Sequence, residues 1–211
     1  MGDGYPIVLD VKARRIVIVG GGNVALRKVR GLLECGATDI TVVSPAFHPD
    51  LPADRIRRVT ETYSAARLAG AAMVFAATDS PQVNAQVVQD GHAIGALVCR
   101  ADVDEDHAGD FATPAMVRRG PVMITASSGG SPALSAAIRD QLARSLDERL
   151  IAMAEAMLIL RPMLRSSLEP ARRKEAFRSL CTEQALGVLA SGGLEGLKMW
   201  LSGQFGELKS H

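Results

Sequence analysis

Three consecutive glycines, Gly20, Gly21 and Gly22, end the apolar run 15–19 and are followed directly by Asn23-Val24-Ala25. Residues of these types at this spacing can hold a pyrophosphate. Gly20 permits a sharp turn, Gly22 lets backbone N–H groups come close to phosphate oxygens, and Ala25 fills a third small position. Apolar residues recur at helical spacing over 26–33, so the glycines stand at a helix N-terminus, where free N–H groups and the dipole favour an anion. A dinucleotide is therefore the expected ligand. Such a site usually has an acidic residue closing the second strand, roughly 20 residues on, to bind the ribose. Here that strand reads Asp39-Ile40-Thr41-Val42-Val43-Ser44-Pro45-Ala46, with its only carboxylate at the wrong end. Ser44 and the backbone of Pro45 and Ala46 are left to do the work. No arginine follows Ser44 directly, although Arg55, Arg57 and Arg58 come soon after, so NAD is favoured over NADP.

Two further clusters could do chemistry. Asp102, Asp104, Glu105, Asp106 and Asp110 crowd one short stretch, with His107 among them; a carboxylate there could accept a proton or orient a water that does. Ser127-Ser128-Gly129-Gly130-Ser131-Pro132 forms a second small-residue loop before a helix, with Ser131 as its N-cap. His107 reads better as a loop residue than as a ligand, and no resident metal site is expected.

The elements that must position these residues follow from the pattern. Strands are expected at 15–19, 39–46, 56–60, 71–79 and 96–99, a short helix at 63–68, and a helix from Ser80-Pro81 to about Asp90. Val74–Ala77 is continuously apolar, which suits a parallel strand buried on both faces and puts Thr78-Asp79 at the ligand edge of the sheet. One further strand is expected at 122–126, with helices over 134–146, 148–164, 170–180 and 183–205. The fold class is thus α/β: a Rossmann-like doubly wound parallel sheet over 1–112, a small segment 113–148 and an all-α part 149–211.

Composition sets outer bounds. The chain has 211 residues, is 47% hydrophobic, and carries a formal net charge of +1. That content fills a sizeable core, and the near-neutral balance argues against nucleic-acid binding. No apolar run is long enough to span a membrane and no secretory signal is recognisable, so a cytoplasmic protein is expected. Cys35, Cys99 and Cys181 are odd in number and lack metal-ligand spacing, which indicates neither a disulfide framework nor structural zinc.

The order of GGGNVALRK near residue 20, VFAATD at 74–79, DVDEDHAGDF at 102–111 and TASSGGSPALS at 125–135 closely resembles the siroheme-synthase N-terminal module. The resemblance covers essentially the whole chain. It implies NAD-dependent dehydrogenation of precorrin-2 to sirohydrochlorin, with insertion of Fe²⁺ or Co²⁺ into sirohydrochlorin as a second activity of some members. At this length the form expected is a stand-alone one, without the methyltransferase module of fused relatives. By the resemblance, Asn23 and Val24 open the helix over the dinucleotide, Pro45 and Ala46 lie at the second strand's end, and Thr78 borders the same crevice. Asp104, seven residues before Phe111, matches an aspartate essential for the chemistry. Ser128 matches a serine of the second loop and is assigned to substrate. Ala101 and Asp102 replace residues of the usual Asn-Val-Val-Asp pattern. A homodimer built through 113–148 is also implied.

The substrate class explains an otherwise odd tail. Precorrin-2 carries many acetate and propionate groups, and Arg118, Arg119, Arg161, Arg165, Arg172, Arg173, Lys174 and Arg178 are candidate carboxylate partners. For most of them a solvated helix face is the simpler reading. The principal alternative function is an NAD(H)-binding redox-sensing regulator. It should carry a helix-turn-helix and a concentrated basic face, and 161–178 is interrupted by acids.

Overall fold

The computed structural model describes residues 4–102 and 109–208. The chain divides into two compact units, Met1–Thr113 and Pro114–His211.

In the first unit, β1 (Arg15–Val19), β2 (Asp39–Val43), β3 (Arg57–Val59), β4 (Met73–Ala76) and β5 (Leu97–Arg100) form one sheet in the order β3-β2-β1-β4-β5. Every neighbouring pair is parallel. Alternate residues of a strand face opposite sides, so the β-branched runs supply two cores at once. On one face Ile16, Ile18, Ile40, Val42 and Phe75 pack with Ala25, Leu26, Val29 and Leu32 of α1 (Asn23–Glu34). On the other, Val17, Val19, Val43, Val74, Ala76 and Val98 pack with Val87 and Val88 of α2 (Pro81–Ala93). From β1 the chain steps outward through β2 and β3, then returns to the other side of β1 for β4 and β5. The reversal opens a crevice beyond the carboxyl ends of β1 and β4, the usual ligand position in such sheets.

α2 runs to Ala93, past the end expected near Asp90. Gly91 does not stop it, because a Cβ there would lie 2.6 Å from a methyl of Val98. The glycine lets the helix lie close to β5. The short helix expected at 63–68 is a 3-10 turn, Ala65–Leu68.

In the second unit, β6 (Ala115–Arg119) and β7 (Val122–Ala126) form an antiparallel hairpin separate from the main sheet. β6 is absent from the sequence reading, since its Arg118 and Arg119 lack strand alternation. The register gives it away only afterwards, and Gly120 at φ +54 supplies the positive φ of a tight two-residue turn. α3 (Pro132–Ser145) packs on both strands, while α4 (Glu148–Ser167), α5 (Pro170–Ser179) and α6 (Glu183–Phe205) pack on one another. Their core is Leu160, Leu164, Leu180, Leu197 and Leu201. The helix expected over 183–205 is kinked, with Gly193 at φ +62 inside α6. Among the described residues no helix is long and apolar enough to cross a membrane.

Candidate dinucleotide site

The glycine loop lies where β1, β2 and β4 end. Gly20 donates its N–H to Val43 O at 2.9 Å. Its φ is +115, and a Cβ would collide with the carbonyl of Ala77 and reach 3.0 Å from Thr78 N. Gly21 is closed in from the other side: a Cβ would collide with Ala46 O and lie 2.8 Å from Ser44 Oγ, and Gly21 O accepts from His48 N at 2.7 Å. Both glycines are thus demanded by the protein itself. Gly22 differs, because nothing lies within 4 Å of where its Cβ would be.

Gly22 is the N-cap of α1, at φ −85, with no side-chain cap and no acidic residue in the first turn. The first i→i−4 bond of the helix runs from Leu26 N to Gly22 O, so the N–H groups of Asn23, Val24 and Ala25 precede the ladder. Open space over uncapped N–H groups fits a pyrophosphate. A side chain at residue 22 would occupy that space.

The segment after β2 supports the loop from below. Ser44 is 8% exposed; its N–H donates to Val59 O at 3.1 Å and its Oγ accepts from Ala46 N at 3.4 Å. Pro45 and Ala46 are exposed beside it. Arg58 donates to Leu51 O and stacks its guanidinium 5.5 Å from the centroid of Phe47. Arg58 is therefore engaged in holding this segment.

Thr78 is fixed by a residue missing from the sequence reading. Asn84 is fully buried. Its Oδ1 accepts from Thr78 N at 3.0 Å and its Nδ2 donates to Thr78 O at 3.0 Å. The signal for it was available: Asn84, Val87, Val88 and Gly91 make the buried stripe of α2, and one polar residue on such a stripe needs a polar partner. Asn84→Ala is expected to lower unfolding free energy by about 2–3 kcal/mol through unsatisfied Thr78 groups, read from denaturant melts against wild type.

At the end of β5, Arg100 holds Asp102 with a two-pronged ion pair, 2.8 Å from Nε to Oδ1 and 2.8 Å from Nη2 to Oδ2. The Arg100 side chain is only 2% exposed. That guanidinium, with help from Asn84, holds the Asp102 carboxyl below the usual carboxylate range. Asp102 is thus a structural anion rather than a free acid in the cluster. Asp104 and His107 lie outside the described residues. Beyond them, Asp110 caps β5: its Oδ2 accepts from Val98 N at 2.7 Å and its Oδ1 lies 3.0 Å from Nε2 of His92. His92, on α2, is thereby tied to the segment after β5. Phe111 meets Phe75 edge to face with centroids 5.6 Å apart. Lys28 of α1 donates to Thr113 Oγ1 and sits 5.7 Å over the Phe75 ring, and burial pushes its ammonium below the ordinary lysine value.

Gly20, Gly22, Asn23, Val24, Ser44, Pro45, Ala46 and Thr78 are therefore gathered at one end of the sheet. Ser128 belongs to the second unit. Its Oγ donates to Ser131 O at 2.8 Å and lies 2.7 Å from Ser135 Oγ, while Ser131 Oγ accepts from Leu134 N at 3.3 Å. The serine loop is a hydroxyl network around the N-cap of α3. Among the described residues no three potential ligands group as a metal site, and the three cysteines are free.

Residues 7–115 match a family model described as "Putative NAD(P)-binding". The chain is 33% identical over 213 residues to "Siroheme synthase 2" of Aeromonas hydrophila subsp. hydrophila, covering 99% of this chain and 45% of the relative. It is 41% identical over 143 residues to "Siroheme synthase" of Chromobacterium violaceum, covering 65% of this chain and 30% of that protein. The chain thus spans less than half the length of these relatives. Among solved structures it resembles "SirC, precorrin-2 dehydrogenase", with a TM-score of 0.72 and 21% identity over 95% of this chain and 100% of the other. That likeness is one of fold.

Proposed function

This chain belongs to the NAD(P)-binding family matched by residues 7–115, and from that premise we propose that it is an NAD-dependent precorrin-2 dehydrogenase of siroheme biosynthesis. The observation that carries the proposal is the pyrophosphate cradle at Gly22, in a chain that aligns over 99% of its length with a siroheme synthase.

In this reading the N–H groups of Asn23 and Val24 hold the pyrophosphate. Ser44 backs the loop, and Pro45 and Ala46 border the adenosine ribose. Arg58, engaged with Leu51 and Phe47, is not offered to a 2′-phosphate, which supports NAD over NADP. NAD, when bound, supplies the acceptor for the hydride that precorrin-2 loses. Thr78, locked by Asn84, gives the crevice a fixed wall. Asp104 takes the accompanying proton, directly or through a water, as one new double bond forms in the macrocycle. Ser128 contacts substrate. Fe²⁺ or Co²⁺ enters as a second substrate where chelation follows, and the reaction belongs to the cytoplasm.

The reading includes a homodimer formed through 113–148. α3 buries only Ser135, while Leu134, Ile138 and Leu142 stand 52%, 36% and 45% exposed at successive i+4 positions. An apolar stripe of that kind is what a second copy covers. Ile138→Glu is expected to shift the protein from dimer to monomer in light scattering; an unchanged mass would count against this surface.

The test of the activity is anaerobic incubation with enzymatically made precorrin-2 and NAD, followed by NADH and sirohydrochlorin absorbance and then by addition of Fe²⁺ or Co²⁺. NADH appearing together with sirohydrochlorin is the expected result. No reduction of either NAD or NADP would overturn the dehydrogenase reading and favour a dinucleotide-binding regulator.

A further inference from the structure

The cationic residues of the tail do not share one fate. Arg118 donates to Met123 Sδ at 3.5 Å, Arg119 pairs with Glu148, and Arg172 stacks 6.0 Å from the Phe205 centroid. Arg161, Arg165, Arg173, Lys174 and Arg178 instead line one open cavity of about 660 Å³ between α4 and α5. No acidic residue lines it. None of the five is in an ion pair among the described residues; Arg161 lies over the Phe177 ring, 5.6 Å from its centroid, within the same wall. Arg161 and Arg165, and again Lys174 and Arg178, are like charges four apart on one helix, an arrangement that weakens an unliganded helix. Between them the wall is apolar, formed by Met157, Pro170 and Phe177.

A lining that combines five cations with apolar side chains selects a ligand with the complementary composition: an apolar body edged with carboxylates, which guanidinium forks grip in pairs. A small inorganic anion meets the cations and leaves the apolar side chains uncovered. We propose that this cavity is a binding site for a polycarboxylated macrocycle, built wholly within the second unit and additional to the dinucleotide crevice of the first. The proposal rests on the reading above for the ligand's class, since the tetrapyrrole is the polycarboxylate such a protein handles. It goes beyond that reading in assigning a site to α4 and α5.

Cys181 lines the cavity and is exposed, so it reports occupancy locally. The experiment measures the rate at which iodoacetamide modifies Cys181, by peptide mass, with and without uroporphyrin, a stable macrocyclic polycarboxylate. Uroporphyrin is expected to shield Cys181 in the wild-type chain. In Arg165→Gln/Arg173→Gln/Arg178→Gln, the concentration needed for the same shielding is expected to rise about tenfold, the sum of three exposed charge contacts. The triple lysine variant at the same positions keeps the charge and is expected to recover part of the shielding, which separates charge from an altered fold. Binding of uroporphyrin without shielding of Cys181, equal shielding by inorganic phosphate, or displacement by a single-stranded oligonucleotide at matched concentration would each overturn the proposal. Failure of wild type to turn over precorrin-2 bears instead on the dehydrogenase reading, because the shielding measurement needs neither NAD nor catalysis.

Discussion

Asp104→Asn is expected to leave NAD affinity at the wild-type level and to lower precorrin-2 turnover by about 10²–10⁴-fold, the range a positioned proton acceptor contributes. The residues proposed to hold the dinucleotide are set by the ends of β1, β2 and β4. Asp102 cannot substitute for it, because Arg100 engages both of its carboxylate oxygens. The measurement is a pair: NAD titration followed by calorimetry, and anaerobic turnover at saturating NAD. Turnover of Asp104→Asn within about twofold of wild type would remove the residue from the proton step. Asp102→Asn provides the contrast. Its main expected effect is on stability near neutral pH, since the Asp102 carboxyl is held below its usual range by Arg100. The sign follows from linkage: the contribution is present above the ordinary carboxylate pKa and is lost as pH falls through the lowered folded value.

The second large effect separates two neighbouring glycines. Gly22→Ala is expected to cost no more than about 1 kcal/mol of stability, as an N-cap change at a permissive φ, while weakening NAD by about tenfold or more through loss of close approach to the pyrophosphate. Gly21→Ala is expected to do the reverse in order of cause. Its Cβ has no room beside Ala46 O and Ser44 Oγ, so the 44–48 segment must move and the fold loses about 1–3 kcal/mol. NAD affinity then falls as a consequence. Thermal melts and NAD titration of both variants distinguish the cases. A Gly22→Ala protein that binds NAD normally would take the pyrophosphate away from this loop.

Much of the fold was legible along the chain because its signals are local. β-branched runs ending in glycine, a Ser80-Pro81 cap and another at Ser131-Pro132 each act within a few residues, and both serines cap as expected, accepting from Val83 N and Leu134 N. The continuous apolar character of 74–77 indicated a strand covered on both faces, and Val74 and Ala76 are 0% exposed. The glycine loop was legible for the same reason, as a turn joined to a helix start. β6 was not, because its strand character comes from pairing with β7 rather than from its own alternation.

What the sequence by itself determined is therefore every element but β6 and the groups each end can offer: a glycine corner at 20–25, a strand end without a carboxylate at 44–46, and a tail rich in arginine. Tertiary structure alone decided which of those groups remain available. It used Asp102 to neutralise buried Arg100, Arg58 to tie down its neighbouring loop, Asn84 to fix Thr78, and Gly21 to admit the Ala46 carbonyl, while leaving Gly22 open. It also sorted eight similar cations into three that are engaged elsewhere and five that line one cavity. The physical reason is that secondary structure answers to neighbours in sequence, whereas the availability of a charge or a space depends on what long-range packing brings against it.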